Sequence, residues 1–227
     1  VVGEILEEIP ELIDQIKKNG HEIGFHTMTH KKLHEIRTKE NFEIELEKFR
    51  NIVGNNVKGF RAPTFSLDSS TSWAIDSLKK FGYSYDSSIV PIKTKMYGLS
   101  NAEKYPYKIS SSSIEKHDAK SEFWEFPLMK TKFLGKKIPA GGGFYLRTLP
   151  SRIFQKSIKE YNKKDKPAIM YIHSWELTPE YMPKIDLPIK EKFITYHNIH
   201  KSLPKMDELI KKFEFTSFER YLKRMND

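Results

Sequence analysis

His26, His30 and His34 recur at intervals of four residues. That spacing puts two imidazoles on one helical face or across one turn, close enough to share a metal ion. Neutral imidazole suits zinc first, and nickel, cobalt or iron as well. A catalytic zinc takes three protein ligands and keeps one position open, so two imidazoles do not make a complete site. His26 and His30 are the candidate ligands, and His34 reads as a surface residue. A second group is Arg61-Ala62-Pro63. Its guanidinium can fork a carboxylate and hold it ionised. A third is His173, which closes the apolar run 167–173 (PAIMYIH) and is followed by Ser174-Trp175-Glu176. An imidazole so placed can serve as acid or base. Gly141-Gly142-Gly143, with Phe144, Tyr145 and Arg147 behind it, can bring bare backbone and a ring to a sugar.

These groups need elements to position them. Residues 4–19 place Ile5, Leu6, Ile9, Leu12, Ile13 and Ile16 at helical spacing, closed by Gly20. Further helices are expected over 39–53, 70–81, 150–162 and 204–212. Short strands are expected over 21–26, 57–61, 83–86, 123–128 and 213–218. The run 167–173 reads as a strand buried on both faces. Residues 91–121 carry no period and read as a long loop or surface hairpin, and 178–200 as an irregular Pro-rich segment, a candidate flap over a cleft. No repeat or linker interrupts the chain, so one domain over 1–227 is expected, with 178–227 as its C-terminal extension. Strands alternating with helices imply a mostly parallel sheet, open or closed into a barrel. Ligands then sit at the C-terminal strand ends. The His26, Arg61 and His173 blocks each fall at or just past a strand run, and that agreement outweighs any one of them.

Composition excludes several classes. The chain has no Cys, which removes disulfides, thiolate zinc sites and Cys nucleophiles. Its 39 Lys and Arg against 30 Asp and Glu give +9. The lysines are scattered, in runs no longer than two and interleaved with acids, as on a solvated surface. No helix-turn-helix, zinc-finger or RNA-recognition pattern points to nucleic acid. No apolar stretch approaches the roughly 18 residues of a membrane-spanning helix. No signal peptide is visible either, but the chain starts at Val1, so cell envelope, extracellular space and cytoplasm all stay open.

HEIGFHTMTH (21–30) resembles the H-E-I/V-G-x-H-S/T-x-x-H segment of the polysaccharide deacetylases, carbohydrate esterase family 4. Arg61-Ala62-Pro63 resembles the family's R-x-P motif, and Tyr171-Ile172-His173 its last motif, which ends in a His. FWEFPL, GGGFYLR and HSWEL are similar to a subgroup associated with exopolysaccharide loci, which carries its own C-terminal extension. The resemblance runs over about 3–215 and is most specific in the first block. It implies a distorted (β/α)7 barrel and removal of N-acetyl groups from N-acetylhexosamine units of a poly- or oligosaccharide. By the resemblance, His26 and His30 would ligate the metal, His173 would protonate the leaving amine, and Arg61 would orient the catalytic base. Phe65, Tyr145 and Trp175 are assigned to sugar stacking on aromatic character, with Arg147 beside them on the substrate.

The resemblance departs at one place. The family's first motif supplies two acidic residues, one the third metal ligand and one the base, and no segment here matches it. Val1-Val2-Gly3-Glu4 resembles the end of the family's second strand, so the barrel is expected to lack its N-terminal strand or strands here, with the acidic motif upstream of Val1. Asp14 and Glu22 do not substitute: one is mid-helix and the other precedes the strand end. A strand supplied by another chain, in an oligomer, is a further arrangement. The rival functions are a carbohydrate-binding relative without catalysis and a basic nucleic-acid binder, whose affinity would fall steeply with salt.

Overall fold

Four short strands lie parallel: β1 (Gly24–Phe25), β2 (Gly59–Phe60), β3 (Tyr85–Asp86) and β5 (Trp124–Glu125). β4 (Tyr107–Lys108) pairs antiparallel to β5 at the edge, giving the order β1-β2-β3-β5-β4. The register sets Gly24, Gly59, Tyr85 and Trp124 side by side, and then Phe25, Phe60, Asp86 and Glu125. Glycine at position 59 is required by packing: a Cβ there would fall 2.0 Å from Oη of Tyr85, whose ring lies over it. The computed structural model describes residues 1–183 and 185–226. Lys184, inside the segment read as irregular, and Asp227, the last residue of the expected extension, lie outside the described residues.

The chain resolves into two compact units. The first comprises Val1–Pro127 and the C-terminal residues from Thr216. It holds the sheet and the helices α1 (Gly3–Glu8), α2 (Glu11–Lys18), α3 (Leu33–Ile36), α4 (Lys39–Val53) and α5 (Trp73–Lys80). α4 shows why these segments fold as they do. Thr38 caps it, its hydroxyl accepting the Asn41 N–H at 3.2 Å. Gly54 ends it at φ +85, a conformation that suits a residue without Cβ. Phe42, Leu46, Phe49 and Val53 form its buried stripe. Phe49 packs 4.4 Å from Phe25, and Phe42 packs 5.3 Å from Phe60, ring centre to ring centre. This aromatic layer is the core that seats β1 and β2.

The second unit, Leu128–Phe215, holds a hairpin and helices. β6 (Thr131–Phe133) and β7 (Lys136–Ile138) are joined by Leu134 and Gly135, both at positive φ, the turn that matches strand twist. The helices are α6 (Gly143–Thr148), α7 (Ser151–Asn162), α8 (Ser174–Leu177), α9 (Ile189–Tyr196) and α10 (Ser202–Lys212). A last helix, α11 (Phe218–Asn226), belongs to the first unit.

Four expectations change. The helix of 4–19 is two helices, because Pro10 has no N–H to bond backwards and its ring crowds the preceding turn. Residues 167–173 are not a doubly buried ladder strand. They are an extended segment held by single bonds, Met129 N–H to Ile169 O at 3.0 Å and Tyr171 N–H to Gly141 O at 2.7 Å. The segment 178–200 contains α9. No strand forms over 213–218; the helical spacing of Phe218, Tyr221 and Leu222 takes over instead. The α/β class with a parallel sheet holds.

Candidate functional site

In the first unit the chemistry lies one residue past each parallel strand. His26 follows β1, Arg61 follows β2 and Ser87 follows β3. The parallel ladder carries them there, with Arg61 N–H bonding Phe25 O and Ser87 N–H bonding Phe60 O, each at 3.0 Å. The loops beyond are held in unusual backbone. Thr27 and His30 sit at φ +58, Thr64 at +54 and Phe65 at +52. Each such non-glycine residue costs about 1 kcal/mol or more, and strain of this kind collects at functional sites.

His26 and His30 are brought together, ring centres 4.9 Å apart and the planes inclined by 70°. His26 is half-buried and His30 exposed. The Arg61 carbonyl lies 2.6 Å from His26 Nδ1. A carbonyl only accepts, so Nδ1 carries the hydrogen and Nε2 keeps the lone pair. Burial above all, with the nearby positive charges of the site, lowers the His26 pKa to about 3 and keeps the ring neutral at pH 7. A neutral ring with an oriented Nε2 is the form in which imidazole binds a metal ion. The pair thus fits a divalent transition metal as two ligands. Among the described residues no three His, Cys, Asp or Glu side chains gather around one point. His34 bonds Asp68 at 3.0 Å on the surface.

Arg61 does not reach out as a free fork. Its Nε donates to Ser87 O at 2.8 Å and Nη2 to Ser87 Oγ at 2.7 Å. Ser87 Oγ passes its own hydrogen to Phe126 O at 2.8 Å. The guanidinium therefore ties the ends of β2, β3 and β5 together. Behind it lie two acids that the sequence reading did not select, Asp86 and Glu125, register partners and fully buried. Asp86 accepts from Ser88 Oγ at 2.5 Å and Ser88 N–H at 3.1 Å, and Glu125 Oε1 accepts Ile89 N–H at 3.0 Å. Ser88 Oγ in turn accepts the Ala62 N–H at 2.7 Å. Burial raises both carboxyls, Glu125 well above the usual carboxylate range because Asp86 faces it. The available signal was an acid inside an aromatic strand run, YSYD and FWEF.

His173, Trp175, Tyr145 and Arg147 stand on the second unit. Trp175 stacks on His173, centres 5.0 Å apart at 25°. Nε2 of His173 meets the Tyr171 hydroxyl at 2.5 Å. Tyr145 is half-buried beside Phe144. Two residues assigned to substrate are placed otherwise. Arg147 is 1% exposed and its guanidinium is committed to Glu176 and to backbone carbonyls, so it supports the site from within. Phe65 is 8% exposed and packs on Tyr97, centres 5.2 Å apart, rather than presenting a face for a sugar. The Gly141–Gly143 expectation of close approach is met: a Cβ at Gly141 would lie 2.6 Å from Ile169 O, and one at Gly143 2.2 Å from Glu176 Oε2.

Two family models match the chain. Residues 1–85 match "Polysaccharide deacetylase" and 87–223 match "Domain of unknown function (DUF3473)". Their border follows β3 and cuts the sheet, leaving β4 and β5 in the second model. Among curated proteins none matches significantly. A solved 4-alpha-glucanotransferase from Thermococcus litoralis aligns over 98% of this chain and 32% of its own, at 15% identity and a TM-score of 0.57. That likeness is one of fold alone. A Mycobacterium smegmatis protein assigned as a polysaccharide deacetylase aligns over 72% of this chain and 51% of its own, at 18% identity and a TM-score of 0.42. The chain thus spans about half the length of the one structure and a third of the other. The second model covers more than half of the chain, so the chain belongs to the family of that domain of unknown function, and its first 85 residues, with His26, His30 and Arg61, match the polysaccharide deacetylase model.

Proposed function

We propose that this chain is a metal-dependent hydrolase that removes N-acetyl groups from N-acetylhexosamine units of a poly- or oligosaccharide. The observation that carries the reading is the His26–His30 pair at the end of β1, inside the segment matched by the deacetylase model. These two imidazoles would hold one divalent transition ion, zinc first among zinc, nickel, cobalt and iron. Such an ion, when bound, polarises an acetamide carbonyl and makes water a nucleophile near neutral pH. His26 is held ready by the Arg61 carbonyl, and Arg61 by Ser87. His173 donates from Nε2 to the leaving amine. Trp175 and Tyr145 offer rings to the saccharide. The barrel expected from the resemblance is part of this proposal.

The test joins metal analysis by plasma mass spectrometry with acetate release from an N-acetylglucosamine oligomer. His26→Ala, His30→Ala and His173→Ala should each reduce acetate release at least about 100-fold, and the first two should lose bound metal. Near wild-type rates in the His26 and His30 variants would overturn the reading. A second reading, a carbohydrate-binding relative without catalysis, is favoured by the lack of a third ligating side chain near the pair among the described residues. It predicts saccharide binding with no acetate release and no response to metal.

A further inference from the structure

Glu176 stands behind His173 and has no part in the reading above. It is 2% exposed, and Oε1 pairs with the guanidinium of Arg147. Oε2 accepts the backbone N–H of His173 at 3.0 Å and lies 3.1 Å from Nδ1 of its ring. A carboxylate paired with a buried guanidinium is ionised and can only accept. Nδ1 therefore carries a hydrogen in both protonation states of the ring. The exchangeable proton is on Nε2, the nitrogen that meets the Tyr171 hydroxyl. Trp175, stacked on the ring, fixes its plane.

The rest of the unit is built around this carboxylate. Gly143 has no Cβ, and one would lie 2.2 Å from Glu176 Oε2. Arg147 is locked in turn: Nε donates to His197 O at 2.8 Å, and Nη2 to Ile194 O and to Thr195 O at 3.1 Å. These are carbonyls at the end of α9, which need donors in any case. Capping α8 accounts for the backbone bond from His173, and an exposed Gln would do that as well. It does not account for burying an ion pair, which is costly unless the charge is used or fully compensated.

We propose that Glu176, seated by Arg147, is the positioning residue of His173. It fixes the Nδ1–H form of the ring and stabilises the imidazolium, so that the exchangeable proton is held on Nε2, beside the Tyr171 hydroxyl. The proposal rests on the reading of His173 as the acid of deacetylation. In that step the Nε2–H bond breaks as an N–H bond forms on the leaving amine, and the ring returns to neutral with its hydrogen on Nδ1. Glu176 stays ionised throughout, as the carboxylate does in a Ser-His-Asp site.

The experiment follows the His173 ring by nitrogen-15 NMR, and acetate release against pH, in Glu176→Gln and Glu176→Asp. Gln keeps an acceptor for the cap but removes the charge. It should lower the His173 titration midpoint by about one pH unit and mix the two neutral tautomers. It should reduce kcat at least about 100-fold, with KM within about threefold. Asp should restore the midpoint and part of kcat. If Glu176→Gln does not fold, the double variant with Arg147→Met removes both buried charges and is measured the same way. A folded charge-free variant with an unchanged midpoint and an unchanged Nδ1–H form overturns the proposal. His173→Ala with wild-type acetate release overturns the acid reading instead, while the NMR result still decides whether Glu176 positions the ring.

Discussion

Asp86 and Glu125 show what single residues do to the energetics of this sheet. Both carboxyls are fully buried at paired register positions, where they face each other. A proton on Glu125 removes one of the two buried charges and lets the acid donate to Asp86, which is the direction in which burial and Asp86 push it. The folded state therefore keeps a proton that the unfolded chain releases in the ordinary carboxylate range. By linkage this contribution is fully present below that range and is lost as pH rises through it toward the raised folded value. Glu125→Gln keeps a neutral group in place. It should flatten this fall and raise stability at pH 8 by about 1 kcal/mol or more relative to wild type. Urea unfolding of both proteins at pH 5 and pH 8 measures it, and an undiminished slope in the variant would assign the proton elsewhere. Composition flags neither acid as special, because their pairing is a product of strand register.

At the scale of elements, local chemistry was legible at the caps of α4 and was misread at Pro10, which splits the helix expected over 4–19. The α4 boundaries coincide with the expected 39–53, since Thr38 caps one end and Gly54 the other. Four of the expected strand runs, 21–26, 57–61, 83–86 and 123–128, contain ladder strands but are longer in sequence than in the ladder, two residues each in β1, β2, β3 and β5. Apolar alternation marks burial and does not mark where hydrogen bonding ends. The run 167–173 misled for a related reason: its apolar residues read as a doubly buried strand, but only Ile169 is fully buried. Gly141 is the element-scale test. A Cβ there meets Ile169 O at 2.6 Å, a backbone atom with little freedom to move. Gly141→Ala should destabilise the second unit by about 1–3 kcal/mol. In contrast, Gly82→Ala, with open space around it, should cost only its positive φ of +81, about 1 kcal/mol. Thermal unfolding of the two variants separates the effects, and equal costs would contradict the close-approach account.

At the scale of the whole molecule, the first unit is discontinuous in sequence. α11 returns to it from beyond the second unit. Phe218 packs 5.0 Å from Tyr85 and 4.8 Å from Phe126, and the Glu219 N–H bonds Glu22 at 3.1 Å. Glu22 also accepts from the Tyr85 hydroxyl, so the C-terminal helix bears on β3. Phe218→Ala should lower stability by about 1–3 kcal/mol, less than a fully buried Phe because it is half-exposed. Chemical denaturation measures the loss, and a variant as stable as wild type would mean that α11 only lies on the surface.

The sequence by itself determined the alternation of helices with short strands, the histidine pair past the first strand, and the family. It could do so because caps, glycine turns, apolar periods and short motifs are local, read within a few residues of each other. Only the tertiary structure decided which distant groups meet. Register set Asp86 against Glu125, 39 residues apart in the chain, and burial set the Arg147 guanidinium on Glu176. It also split the chain into two units. Such contacts depend on chain closure over long separations and on the desolvation of charges, and neither leaves a periodic or local trace in the order of the residues.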